Sequence, residues 1–167
     1  MPRLILALAL ATVALLPTTA AARPAVCSAG VIQQRLIDRG TLTQEDVAGG
    51  EVVDLVRCGD ITADGHADAL FTVASGGTAG DTRFGVMRGR ADGSAGPLIL
   101  YRQGYNLGIA RRSSRSFEVL QPHYAAGDAN CCPSSFRVRR YRWNGTRFKA
   151  VGRPQRLKHA PRRFYRP

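Results

Sequence analysis

From Val52 to Val151 the chain is a succession of short apolar or alternating runs cut by clusters of Gly, Asp and Ser, and this punctuation leaves few folds open. Runs of this length bounded by turn formers read as strands. They are Val52 to Arg57, Ala69 to Ser75, Arg83 to Met87, Pro97 to Tyr101, Leu107 to Ala110 and Ser116 to Leu120, followed by a hairpin over Phe136 to Val151. The expected arrangement is an antiparallel meander. Ahead of it, Ser28 suits an N-cap, Ile32 and Leu36 stand four apart within Ala29 to Arg39, and Gly40 suits the position after a helix. The fold class is therefore α+β, with one N-terminal helix packed on an antiparallel β-meander and stapled by disulfides.

In the last hairpin, Asn144-Gly145 is the preferred pair for a two-residue turn. That turn predicts Trp143 opposite Thr146 and Tyr141 opposite Phe148, with Arg142 facing Arg147 and Arg140 facing Lys149 on the other side. One face is then aromatic, and the other is a block of four cations, Arg140, Arg142, Arg147 and Lys149, suited to an anion. Phe136 and Val138 fall on the opposite parity from Tyr141, which predicts a bulge near Arg139 or Arg140. Beyond Gly152 the chain is too polar and proline-broken to pack, so residues 152–167 read as a basic disordered tail behind a single domain over 23–151.

The N-terminus has the form of a secretory signal peptide. Arg3 precedes an apolar run from Leu4 to Leu16, and Ala20-Ala21-Ala22 supplies small residues before Arg23, so 1–22 is expected to be cleaved after Ala22. The apolar run is short for a membrane span, and no later stretch approaches the roughly 20 residues a spanning helix requires. The mature chain is expected to be secreted, either extracellular or associated with the cell wall. Four cysteines outside the cytoplasm read as two disulfides. Because adjacent cysteines close a strained ring, Cys131 and Cys132 are expected to take Cys27 and Cys58 as separate partners, in either order. A zinc site is the alternative, but no two cysteines have the spacing of a zinc knuckle.

Between Asp60 and Asp68, three aspartates and a threonine occupy positions 1, 3, 5 and 9 of a loop with glycine at position 6. A hard dication needs several converging oxygens, and alternate side chains of a tight turn supply them. Asp60, Thr62, Asp64 and Asp68, with the backbone carbonyl of His66, are the expected ligands of a structural calcium ion, and the ring of His66 has no visible catalytic partner. The competing reading is an ordinary turn at Asp64-Gly65.

Charge is divided along the chain. Residues 23–100 carry 7 arginines against 10 acidic residues, whereas 101–167 carry 16 basic residues against only Glu118 and Asp128. The two halves attract each other, and the basic half suits an anionic polymer or a membrane surface equally. The excess is almost wholly arginine in an Ala- and Gly-rich chain, as G+C-rich coding produces, so no specific nucleic acid is expected. Glu118, nearly alone among cations, reads as an ion-pair partner and not as a general acid.

Ser75-Gly76-Gly77-Thr78-Ala79-Gly80 after a strand, together with Asn130-Cys131-Cys132-Pro133-Ser134 before the Asn-Gly hairpin, resembles the LppP/LprE lipoprotein family of actinobacteria, with the likeness spanning roughly Cys27 to Val151. The resemblance implies a place at the cell envelope more than an activity. This chain lacks the family's lipobox, since Pro24-Ala25-Val26 precedes Cys27. Separately, Asp60 to Asp68 is similar to the calcium loop of FG-GAP repeats, with Thr62 where Asp or Asn is usual.

Ser75 to Asp81 lacks the Gly-Lys-Ser/Thr ending of a phosphate loop and reads as a flexible loop. No nucleophile elbow, His-Glu-x-x-His helix or apolar carboxylate pair is legible. The expected function is a secreted, non-catalytic binding module of the cell envelope or extracellular space that uses the arginine-rich hairpin face on an anionic cell-envelope polymer. The alternatives are a secreted hydrolase with an unrecognised site and an inhibitor of another secreted protein.

Overall fold

The computed structural model describes residues 22–165, so the signal segment expected over 1–22 lies outside the described residues except for Ala22. A single 3₁₀ turn, Ala25–Cys27, leads into helix α1, Ala29–Asp38. Eight strands follow a short second helix: β1 Val52–Gly59, β2 Asp68–Ala74, β3 Asp81–Gly89, β4 Ala95–Gln103, β5 Gly108–Ser113, β6 Ser116–His123, β7 Ser135–Trp143 and β8 Phe148–Leu157. The fold is α+β, as the patterning predicts, but the meander is divided. Strands β1-β2-β3-β4 form one antiparallel sheet and β5-β6-β7-β8 a second, each in sequence order.

Two apolar faces explain the division. One face of the first sheet, with Val53, Phe71, Val73 and Met87, buries Ile32 and Leu36 of α1. Its other face, with Leu70, Phe84, Val86 and Leu100, packs on Ile109, Phe117, Val119, Trp143 and Phe148 of the second sheet. Phe84 meets the Phe117 ring at 6.3 Å and the Tyr141 ring at 5.5 Å across that interface. β2 is thus covered on both sides, which is why Asp68 to Val73 is buried without alternation.

The second helix, α2, Gln44–Ala48, was not expected. Thr43 Oγ1 accepts from Asp46 N and Thr43 N donates to the Asp46 carboxylate. This reciprocal cap is the legible signal for a helix start. Gly40 does follow α1 in the left-handed region, at φ 65°.

Three expectations are corrected. The turn of the last hairpin is a four-residue loop, with Trp143 opposite Phe148 and Arg142 opposite Lys149. Asn144 causes this, because its Oδ1 accepts from both Thr146 N and Arg147 N and caps the longer loop. The shift is two residues, so the side chains keep their expected faces. The ladder does slip opposite Arg139, where Gly152 to Pro154 of β8 bulge between Val138↔Gln155 and Arg140↔Val151.

The tail is the second correction. β8 runs on to Leu157, and a further 3₁₀ turn, Arg162–Phe164, places Phe164 at zero exposure against Ala110, Leu120 and Val138. No bulge in β7 accounts for the parity of Phe136 and Val138, since β7 pairs with β6 without a shift: they face outward, beneath this C-terminal segment. Gly108 admits it, since a Cβ there would lie 2.7 Å from Phe164 Cβ. The result is four layers: helix, sheet, sheet and C-terminal cap.

The disulfides are the third correction. Cys27 bonds to Cys58, their Cα atoms 5.4 Å apart, and Cys131 bonds to Cys132. The 3₁₀ turn lays Cys27 beside the end of β1, whereas Cys131 and Cys132 lie in the β6–β7 loop of the other sheet. Once the first pair is joined locally, each cysteine of the second has only its neighbour. Among the described residues no helix is long and apolar enough to cross a membrane.

Candidate functional site

The acidic loop links β1 to β2. Asp60, Asp64 and Asp68 each place a carboxylate oxygen within 4.8 Å of the others, close enough to hold a metal ion. Their charge is also met from within. Asp60 accepts from the backbone N–H groups of Ala63, Asp64 and Gly65. Asp68, wholly buried, accepts from Ile61 N, Thr62 N and Thr62 Oγ1 on one oxygen and from Gly89 N on the other. Thr62 thus directs its hydroxyl to Asp68. Gly65 supplies the sharp bend at φ 85°. Asp64 accepts from His66 N at 2.9 Å and from Arg88 Nε at 2.7 Å. Burial pushes the Asp64 carboxyl up, but these two partners outweigh it and hold the group below its ordinary value.

The basic residues sort into two groups. On the outer face of the second sheet, buried Glu118 accepts from Arg112 at 2.9 Å, Arg163 at 3.2 Å and Arg140 at 3.4 Å. Glu118 is therefore the ion-pair partner its setting implies, and three arginines neutralise a charge that burial alone would penalise. Arg140 is occupied in this way. Arg142 and Lys149 share its face and oppose one another directly across β7 and β8, while Arg147 sits in the turn. Like charges so placed destabilise a strand pair unless something screens them.

Arg112, Arg140, Arg142 and Lys149 line a furrow of adjoining cavities, whose walls do not include Arg147. A cavity of about 630 Å³ opens between the acidic loop and the hairpin tip, with Arg88, Arg115, Arg142, Lys149 and Trp143 in its walls. A second of about 350 Å³ shares Arg115 and Arg142 with it and adds Arg112 and Arg140. A third, about 220 Å³, shares Arg140 with the second and reaches Arg153. Arg88 and Arg115 are not among the residues expected, because Arg88 reaches the hairpin through the packing of the two sheets and Arg115 through the pairing of β6 with β7, where Trp143 N donates to the Arg115 carbonyl.

Away from the furrow, β1 bulges between Val53 and Val56, and Leu55 N donates to Thr72 Oγ1 in place of a ladder bond. Thr72 Oγ1 in turn donates to Asp81 Oδ2 at 2.8 Å. Burial pushes Asp81 from its ordinary value of 3.8 up to about 6, the Thr72 bond opposes this, and the charge of Asp54 adds to it. This apolar carboxyl beside a second acid was not legible in sequence, since the β1 bulge and the β2–β3 turn create it.

Its consequence is a pH dependence. Between about pH 4 and 6 the folded chain holds a proton that the unfolded chain has released. Stability from this group is fully present below about pH 4 and is lost as pH rises through about 6. Asp81→Asn should therefore raise the melting temperature, relative to the parent, more at about pH 8 than at about pH 4. A parent–variant difference that does not change with pH would contradict this assignment.

Comparison with protein-family models, with curated proteins and with solved structures finds no match to this chain.

Proposed function

We propose that this chain is an exported, non-catalytic binding module that takes an anionic polymer of the cell envelope along the arginine-lined furrow of its second sheet. The observation that carries this reading is the continuity of the furrow. Successive cavities share Arg115, Arg142 and Arg140, and the only carboxylates lining them, Asp64 and Glu118, are already in ion pairs. A repeating anion fits such a track better than an isolated one does. The N-terminal signal pattern and the resemblance to the LppP/LprE family support the location. The test is retention on isolated cell wall at low and high salt, comparing the parent with a variant carrying Gln at Arg142, Arg147 and Lys149, with Arg140 left on Glu118. Retention should fall with salt and in the variant, because exposed charges are screened beyond about 10 Å at 0.1 M salt. Equal retention of the two proteins would reduce the face to a solvated surface.

Within the same reading, the acidic loop takes calcium as a structural ion. Three carboxylates on one turn, in an exported chain, suit the affinity class of extracellular modules, a Kd of roughly 10⁻⁴ to 10⁻³ M. At about 10 mM calcium a site with a Kd near 1 mM stabilises by about 1.4 kcal/mol, a rise of a few degrees in melting temperature. Asp64→Ala should abolish the rise. An unchanged melt of the parent would leave a turn held by its own amides.

A further inference from the structure

We propose that the cavity between the acidic loop and the hairpin tip is a subsite for a phosphate monoester carried on a saccharide. The inference rests on the polymer reading above and deepens it, naming one chemical group at one end of the furrow.

Charge carries the first step. Arg88, Arg115, Arg142 and Lys149 reach this cavity from β3, the β5–β6 turn, β7 and β8. Its one carboxylate, Asp64, is engaged by Arg88 through Nε at 2.7 Å. Glu118 holds Arg112, Arg140 and Arg163, so among the described residues Arg115, Arg142 and Lys149 form no ion pair. Three uncompensated cations around one concavity match the roughly −1.5 to −2 charge and three acceptor oxygens of a phosphate monoester better than the single charge of a carboxylate. The surrounding arrangement is also prepared. Asp64 bonds only Nε of Arg88, which orients the guanidinium and leaves both terminal nitrogens for a ligand. A planar fork of that kind meets phosphate oxygens in pairs.

Size and lining carry the second step. At about 630 Å³ the cavity lies in the range of small-molecule sites and exceeds the needs of bare phosphate. Trp143 and Val151 add apolar wall beside the cations, where the carbon face of a sugar would lie.

Trp143 is the chain's one tryptophan, so its emission reports the site. The experiment titrates the purified protein, at fixed ionic strength, with a hexose 6-phosphate, the same hexose, and the matching hexuronate. A saturable change in emission is expected with the phosphate and none with the hexose, and the uronate should bind about ten-fold more weakly or worse. Arg115→Gln, whose side chain holds nothing in the fold, should weaken phosphate binding by about ten-fold at an unchanged melt, and Arg88→Gln should weaken it similarly. The proposal is overturned if the phosphate gives no saturable change, if the uronate binds as tightly, or if both variants bind like the parent. Cell-wall retention together with a silent titration would remove the subsite and leave the polymer reading standing.

Discussion

Replacing Cys27 and Cys58 together by Ala is expected to lower stability by about 3 to 4 kcal/mol, whereas replacing Cys131 and Cys132 together should cost about 1 kcal/mol. The difference follows from what each bond restrains. Cys27–Cys58 closes a loop of sequence separation 31, so its loss frees a large set of unfolded conformations. It also ties the buried turn before α1 to β1, and through β1 to the layer that α1 covers. Cys131–Cys132 joins neighbours and excludes little from the unfolded ensemble. Its loop is held by other means. Asp128 accepts from Ala125 N, Ser134 N and Ser134 Oγ, and Tyr124 Oη donates to the Asn130 carbonyl. Urea midpoints of the two double variants measure the contrast, and equal losses would contradict it.

Phe164→Ala should cost about 3 to 5 kcal/mol, the range for emptying a buried aromatic site. Phe164 is wholly buried, and the segment around it is fixed by several contacts. Arg163 pairs with Glu118 and lies 4.6 Å over the Phe164 ring. The Arg163 carbonyl accepts from Arg57 at 3.3 Å, and Tyr165 Oη donates to the Asn106 carbonyl at 3.4 Å. Removing the ring leaves Leu120 and Val138 facing a void and weakens the arginine cage around Glu118. A disordered tail would instead tolerate the change within a few tenths of a kcal/mol, as exposed positions do. Limited proteolysis adds a second reading: the parent should resist cleavage between Lys158 and Phe164, and the variant should not.

Period made α1 legible because it buries one face, and short runs between turn formers made the strands legible even where, as in β2 and β6, burial does not alternate. What they did not show was how many faces there are. The largely apolar run of β2, broken only by Thr72 after Asp68, marks a strand covered on both sides, and the outward Phe136 and Val138 mark a third apolar surface. Neither identifies its cover, because Phe164 stands isolated among Pro161, Arg162 and Arg163 with no period to announce it. The hairpin register slipped because the choice between a two-residue turn and a capped four-residue loop lies in the Asn144 side chain. Disulfide pairing and the Glu118 cluster depend on which residues tertiary packing brings together, and spacing carries no trace of that. In the acidic loop, spacing correctly put three carboxylates on one turn, but the amides and Arg88 that already satisfy them come from the turn's closure and from β3.

The claim that the arginine furrow binds a polyanion is tested by the salt dependence of affinity for a soluble anionic envelope polymer. Each cation that contacts the polymer releases counterions, so the logarithm of affinity falls with the logarithm of salt in proportion to the number of contacts. The parent should give a steep line, and the variant with Gln at Arg142, Arg147 and Lys149 a weaker and shallower one. Parallel lines of equal affinity would contradict the claim.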